Sequence, residues 1–364
     1  MENKRVTILD LFDSNIVLRD LEPLNSGIAG LSKIRETLLF EESYIPRKNE
    51  VPYVKVLESF ISHIGGDIRN VLYVGDSYFN DGSVIVNLSK LAHLNVCGFL
   101  CNQTKSMTGD FLIGNIIFSD DWSSLWKLAA EAKKRGFTIN ERTIGLFDLD
   151  NTTYAAKGRD SEPLTMARLD AMHILFSDAL GPQRYRKKRA EKAFREFDTD
   201  EYHPYTLDNL DYVVFLSLVY CLQFYDLPEI KEILCRNGLT SLCEQVLDEV
   251  EKRRESEDLG TVYQIVREIH FNMRNGDKTP LKSFRSKEYL STANWMMRED
   301  HSKGGIAITK EVSEFVEYLR SNNAHVMAVS DRPLEATSPW DNTGPSLVEI
   351  KMQVTGKSIR DNLR

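Results

Sequence analysis

The sequence predicts an α/β protein: a mostly parallel sheet drawn from both ends of the chain, interrupted by an all-helical insertion. Three observations carry that expectation. Over roughly the first 150 residues, short apolar runs alternate with helical patterns, the signature of a parallel sheet with crossover helices. After Thr153 the strand signals fade, and long helical patterns run to about Ser302. The α/β texture then returns. The expected domains are residues 1–154 and 304–364, forming one core, and residues 155–303, forming a helical domain inserted into it.

The elements follow in order. Val6 to Phe12 reads as a strand and Ile28 to Phe40 as a helix. Tyr53 to Ile64 carries apolar residues at Val56, Leu57, Phe60, Ile61 and Ile64, a helical stripe. Asn70 to Val74 is an expected strand, followed by a helix over Ile85 to Leu91. Asn95 to Leu100 and Ile116 to Phe118 are further strands, and Trp122 to Arg135 is a helix that Gly136 stops. Thr143 to Phe147 completes this first run of strands. In the insertion, Ser161-Glu162-Pro163 opens a helix that runs to Leu180, where Gly181-Pro182 breaks it. Tyr212 to Tyr225 is apolar nearly all round and reads as a buried central helix. Ile230 to Leu239, Leu242 to Arg254 and Val262 to Asn272 follow. Beyond the insertion come a helix over Lys310 to Asn322, a strand over Ala324 to Val329, and a one-sided strand pattern at Val348, Ile350, Met352 and Val354.

Bulk properties narrow the function classes. With 364 residues, 42% hydrophobic and 27% charged, the chain has the make-up of an ordinary globular protein with room for large cores. A net charge of −8 argues against nonspecific nucleic-acid binding by the chain as a whole. The cysteines Cys97, Cys101, Cys221, Cys235 and Cys243 show no zinc-type pairing and read as thiols in a reducing compartment. No signal-peptide pattern follows Met1, and the apolar stretch Tyr212 to Tyr225 is shorter than the ~20 residues of a membrane span. The expectation is a cytoplasmic protein.

The chemistry concentrates where strands end. The Thr143 strand empties into Asp148-Leu149-Asp150-Asn151-Thr152. Strand side chains alternate, so Asp148 and Asp150 point to the same face, and a divalent cation is the usual remedy for two like charges that close. Magnesium suits an all-oxygen site that also meets phosphate. A second strand ends in Gly75-Asp76, with Asp81 further on, and a third ends in Ser330-Asp331-Arg332. A cation from the Pro46-Arg47-Lys48 segment precedes the Tyr53 helix. A carboxylate nucleophile splits phosphoester hydrolysis into two easier steps, and a second carboxylate serves the leaving group and then water. Metal-bound carboxylates, a hydroxyl and a lysine neutralise the phosphoryl oxygens.

These residues resemble the haloacid dehalogenase (HAD) superfamily, with its Rossmann-like parallel core. Phe147-Asp148-Leu149-Asp150-Asn151-Thr152 is similar to its first motif, Ser330 to its second, and Gly75-Asp76 with Asp81 to its acidic fourth. The resemblance implies Asp148 as nucleophile and Asp150 as acid/base. It implies magnesium held by Asp148, the backbone carbonyl of Asp150, and Asp76, with Asp81 supporting them. Asn151, Thr152, Ser330, Asp331 and Lys48 are the implied phosphate contacts. The third-motif cation is Lys48, with Arg47, Lys55 and Lys351 as competitors, because the usual Lys-Pro pair is absent. The family order is also changed: the third and fourth motifs come first, then the first, then the second. That is a circular permutation, tolerated where domain termini lie close together. It requires the Val71, Thr143 and Ala324 strands to be neighbours with their C-terminal ends on one edge. The helical insertion falls where the family carries C1 caps, which would close over a substrate.

The implied function is magnesium-dependent hydrolysis of a small phosphomonoester. The alternatives are phosphotransfer from the same site, or a binding module that contacts nucleic acid through the basic run from Arg184 to Arg195. Asp10 and Asp13, three residues apart, read as a surface turn. His173, His203, His270 and His301 show no ligand spacing.

Overall fold

The computed structural model describes residues 5–42, 44–104, 109–199, 201–298, 304–339 and 344–363. Two compact units emerge. One is assembled from Met1–Thr165, Thr292–Ser338 and Asn342–Arg364, and the other from Met166–Ser291 with Pro339–Asp341.

The first unit is α/β. Its strands are β1 (Arg5–Val6), β2 (Ile16–Val17), β3 (Asn70–Gly75), β4 (Asn95–Cys101), β5 (Phe111–Ile113), β6 (Ile116–Ser119), β7 (Thr143–Asp148), β8 (Ile308–Thr309), β9 (His325–Val329) and β10 (Met352–Thr355). Seven of them form one sheet in the order β2-β9-β7-β3-β4-β6-β5, parallel throughout except for the β5–β6 pair. At its centre β7 lies between β3 and β9, with Val74 opposite Phe147, and Asp148 opposite Val329. The C-terminal ends of these three strands therefore share one edge.

Both faces of the central strands are covered, which explains their near-continuous apolar sequence. On one face the helix Val51–Ile64 lays Tyr53, Val54, Val56, Leu57, Phe60 and Ile61 against Val71, Tyr73, Ile144, Leu146, Met327 and Val329. Each such large apolar side chain contributes roughly 1.5–3 kcal/mol when fully buried. On the other face Phe147 meets Phe12 and Phe315 at ring distances of 5.5 and 6.3 Å. There the helix Lys310–Ser321 approaches so closely that a Cβ on Gly145 would stand 2.5 Å from Leu319 Cδ1. A smaller sheet, β1-β10-β8, pairs Arg5 with Gln353 and Val6 with Met352, setting the first and last strands side by side.

Several elements differ from the sequence reading. Val6 to Phe12 is not one strand: β1 ends at Val6, and Ile8–Phe12 is a helix capped by Thr7, whose Oγ1 accepts from Asp10 N at 2.9 Å. Asp10 returns the contact to Thr7 N at 2.7 Å, and this capping box outweighs the strand pattern. Asp13 accepts from Arg320 Nη2 at 2.7 Å, away from any acidic centre. Within Ile28 to Phe40 only Leu31–Ile34 is α-helical, although Ile28 and Leu31 are buried and Ile34, Leu38 and Phe40 pack against the same core. The tail pattern at Val348 and Ile350 belongs to a 3-10 turn capped by Ser346 and Glu349, so the strand starts only at Met352.

The second unit is helical. It contains Lys187–Phe197, Leu210–Leu222, Leu227–Arg253 and Gly260–Arg274, with a core of its own. Leu210–Leu222 is buried on nearly every side. The helical stretches 162–184 and 227–253 are broken at Gly181 and Gly238, whose φ values of 64° and 77° suit glycine alone. Buried Arg285 pairs with Asp211 at 2.7 Å and Glu288 at 2.6 Å, and donates to Asn209 Oδ1 at 3.0 Å. On the basic run, Arg184 pairs with Glu257 at 3.0 Å, Lys187 lies 3.8 Å from Glu191, and Arg189 stacks on Tyr220.

No helix among the described residues is long and apolar enough to cross a membrane. All five cysteines are free thiols, and only Cys235 is exposed. His173, His203 and His270 lie against Glu191, Asp208 and Glu244 respectively, while His301 falls outside the described residues.

Candidate active site

The edge where β3, β7 and β9 end gathers an acidic centre around one lysine. Asp148 closes β7 with 6% of its surface exposed. The chain then curls tightly: Thr153 donates to the Asp148 carbonyl from its backbone N at 3.3 Å and from Oγ1 at 2.6 Å. Asn151 takes a left-handed φ of 61°, and its carbonyl accepts from Lys157 N at 2.8 Å.

Asp81 reaches the same place by a different route. Ser77 opens a single π-helical turn, Tyr78–Gly82, by accepting from Asn80 N at 3.2 Å. That wide turn folds Asp81 back beneath the end of β3, a geometry frequent at functional sites. Its Oδ2 accepts from the backbone N of Asp76 at 3.2 Å and of Ser77 at 3.0 Å. Its Oδ1 accepts from Tyr73 Oη at 2.7 Å and Lys48 Nζ at 3.0 Å. Four donors fill the acceptor capacity of one carboxylate. Gly75 is required for this approach, since a Cβ there would stand 2.5 Å from Asp81 Cγ.

Lys48 is the hub. It precedes the helix Val51–Ile64 in a turn held by Glu50, whose Oε2 accepts from Arg47 N at 3.0 Å and Tyr44 Oη at 2.6 Å. With 2% of its surface exposed, Lys48 donates to Asp148 Oδ1 at 2.5 Å as well as to Asp81. Of the four cations considered from sequence, Lys48 is the one inside; Lys55 and Lys351 are exposed and Arg47 is half-buried. Burial works to depress the Lys48 ammonium, but Asp148, Asp81 and their neighbours outweigh it and hold it well above the usual lysine range. Burial likewise drives the Asp148 carboxyl well above the carboxylate range; Lys48 opposes that shift, while Asp81 and Asp76 reinforce it.

Asp76 completes the cluster. Thr152 Oγ1 lies 3.5 Å from its Oδ1, and Lys157 Nζ 3.6 Å from its Oδ2. Among the described residues, Asp76, Asp81 and Asp148 are the one group with metal-type geometry, their ligand oxygens all within 4.8 Å of one another. Hard carboxylate oxygens in this number match magnesium better than a softer transition metal. Three carboxylates face two ammonium groups, buried Lys48 and half-buried Lys157, one negative charge in excess when all are ionised. Since Asp81 is already filled by four donors, Asp148 and Asp76 are the better direct ligands, with Asp81 orienting Lys48 behind them.

Asp150 requires a correction. β7 ends at Asp148, so strand alternation does not extend to Asp150, and the two carboxylates are not a bare repelling pair. Each has its own cation: Lys48 for Asp148, and Arg332 Nη1, at 3.1 Å from Oδ2, for Asp150. The Tyr154 hydroxyl donates to the other Asp150 oxygen. Arg332 is 5% exposed and also donates to Ala336 O and Thr292 Oγ1, while its backbone N donates to Ser330 Oγ at 3.0 Å. Asp331 stands half-buried beside them, within electrostatic reach of Lys48.

Sequence reasoning gave no role to Arg332, Tyr73, Tyr154 or Lys157. Arg332 had a signal, a charge two residues past a hydroxyl at a strand end. Tyr73 had another, a polar tip in an otherwise aliphatic buried run. Lys157 and Tyr154 had none, because only the curl after Asp148 turns them inward.

The architecture is thus a mostly parallel α/β sheet whose central strands end in a lysine-bridged carboxylate cluster. No protein-family model, no curated protein and no solved structure matches this chain.

Proposed function

We propose that this chain is a magnesium-dependent phosphatase acting on a small phosphomonoester, a circularly permuted HAD-type enzyme with a helical cap inserted between its first and second motifs. The observation that carries the reading is the Lys48 bridge between Asp148 and Asp81, with Asp76 in the same cluster. It joins residues 100 positions apart in the chain at the carboxyl edge of a parallel sheet, where open α/β sheets bind ligands. The permuted order is no obstacle, because β3, β7 and β9 are adjacent whichever is made first, and the first and last strands, β1 and β10, pair with each other.

Asp148 and Asp76, with the Asp150 carbonyl, would hold magnesium, which supplies charge neutralisation to the phosphoryl oxygens when bound. Asp148 attacks phosphorus through a carboxylate oxygen, and the bond from phosphorus to the leaving alcohol breaks. Lys48, pinned by Asp81, orients the nucleophile and offers its remaining N–H to a phosphoryl oxygen. Asp150, aimed by Tyr154 and Arg332, gives the proton to the leaving oxygen and later takes one from the water that attacks the aspartyl-phosphate. Ser330, at the end of the neighbouring strand, supplies a hydroxyl to the phosphate.

The test is release of orthophosphate from a panel of phosphorylated metabolites with magnesium, for the wild type beside Asp148→Asn. The expected loss in the variant is at least about a thousandfold. Equal turnover in both proteins, or no turnover of any phosphoester, removes the reading.

A further inference from the structure

Tyr53 stands in the first turn of the helix Val51–Ile64, five residues after Lys48, with 2% of its surface exposed. Its ring belongs to the core against β3, β7 and β9. Its hydroxyl is buried and has no hydrogen-bond partner among the described residues. A buried orphan hydroxyl is unfavourable by about 1–3 kcal/mol, so one that persists calls for a partner that the folded chain does not itself supply. The groups that act on this hydroxyl are those of the active site: Lys48, Asp331, Asp81 and Asp148. Burial pushes it well above the usual tyrosine range, so it remains a protonated donor throughout the physiological range.

Two further donors are unspent: Lys48, which acts on this hydroxyl, and Ser330, which follows the residue paired with Asp148 on the neighbouring strand. Lys48 has three N–H groups and gives two, to Asp148 and Asp81. The Ser330 oxygen accepts from Arg332 N, which leaves its own proton to give. Three unspent donors around one buried carboxylate suit a ligand rich in acceptor oxygens and poor in protons.

We infer that the Tyr53 hydroxyl is a phosphate-binding group, donating to a phosphoryl oxygen alongside Lys48 and Ser330. The inference rests on the phosphatase reading and adds to it a donor that matches no motif residue. It also narrows the ligand class: a tetrahedral oxyanion presents four oxygens in different directions to three donors and the metal, whereas a carboxylate presents its acceptor sites in one plane.

Orthophosphate binding to full-length protein with magnesium, followed by calorimetry for wild type and Tyr53→Phe, tests this directly. The phenylalanine ring keeps the packing and removes only the hydroxyl. The expected result is a melting temperature of ligand-free Tyr53→Phe equal to or above that of wild type, with orthophosphate affinity weakened about tenfold or more. Acetate should show no difference between the two proteins. Affinity within twofold of wild type overturns the inference while leaving the phosphatase reading intact. A ligand-free variant that melts several degrees lower also overturns it, because the hydroxyl would then be spent inside the protein. Absence of any orthophosphate binding by wild type removes both readings.

Discussion

At the scale of single residues, Lys48 decides the character of the site. It is a fully buried ammonium between two buried carboxylates, with Nζ 2.5 Å from Asp148 and 3.0 Å from Asp81. Burying such charges is tolerable only while they are paired, and removing one partner is typically destabilising by about 3–5 kcal/mol. Lys48→Met is therefore expected to lower unfolding stability by that order at pH 7. The sign of its pH dependence follows from Asp148, whose carboxyl is raised in the folded protein. A raised carboxyl binds its proton more readily folded than unfolded, so acidification favours the fold. Without Lys48 that effect grows, and the gap between variant and wild type should narrow as pH falls from 8 to 5. Urea unfolding at the two pH values measures it; a gap independent of pH would show that Asp148 is not the group left uncompensated.

At the scale of elements, two glycines separate packing from function. Gly145, inside β7, makes room for Leu319 on the helix Lys310–Ser321, and Gly75, ending β3, makes room for the Asp81 carboxylate. Either alanine substitution forces a close contact, and overpacking of this kind typically costs about 1–3 kcal/mol. Only Gly75→Ala displaces Asp81, and with it the donor set that positions Lys48. Magnesium is thus expected to raise the melting temperature of wild type and of Gly145→Ala, and to leave Gly75→Ala unchanged. Thermal melts with magnesium and with chelator provide the comparison, and an equal magnesium shift in both variants would remove Asp81 from the account. The same scale shows why some elements were misread. Thr7 and Asp10 cap a helix within a stretch whose apolar content suits a strand, and Ser346 with Glu349 does the same near the C-terminus. Short capping interactions decide such segments, whereas Val51–Ile64 and β7 carry patterns long enough to be legible.

At the scale of the whole molecule, every residue of the candidate site lies in the α/β unit, and the helical unit has a separate core around Leu210–Leu222. A continuous segment with its own buried core folds alone as a rule. The fragment Met166–Ser291 is expected to be helical by circular dichroism and to melt cooperatively; a gradual, featureless melt would show that its core needs the rest of the chain.

The sequence by itself determined the α/β class, the long helices of the insertion, and the strand ends where acidic residues collect, because periodicity and strand-end chemistry are local. It also singled out Asp148, Asp76, Asp81 and Lys48. Only the tertiary structure decided that Lys48, rather than Arg47, Lys55 or Lys351, joins the aspartates, and that Asp150 answers to Arg332 instead of facing Asp148 alone. Tyr53 and Lys157 likewise entered only with the fold. The physical reason is range. Hydrophobic pattern is written into neighbouring residues, but a buried charge is tolerated according to its partners, and here those partners come from strands and turns far apart in the chain.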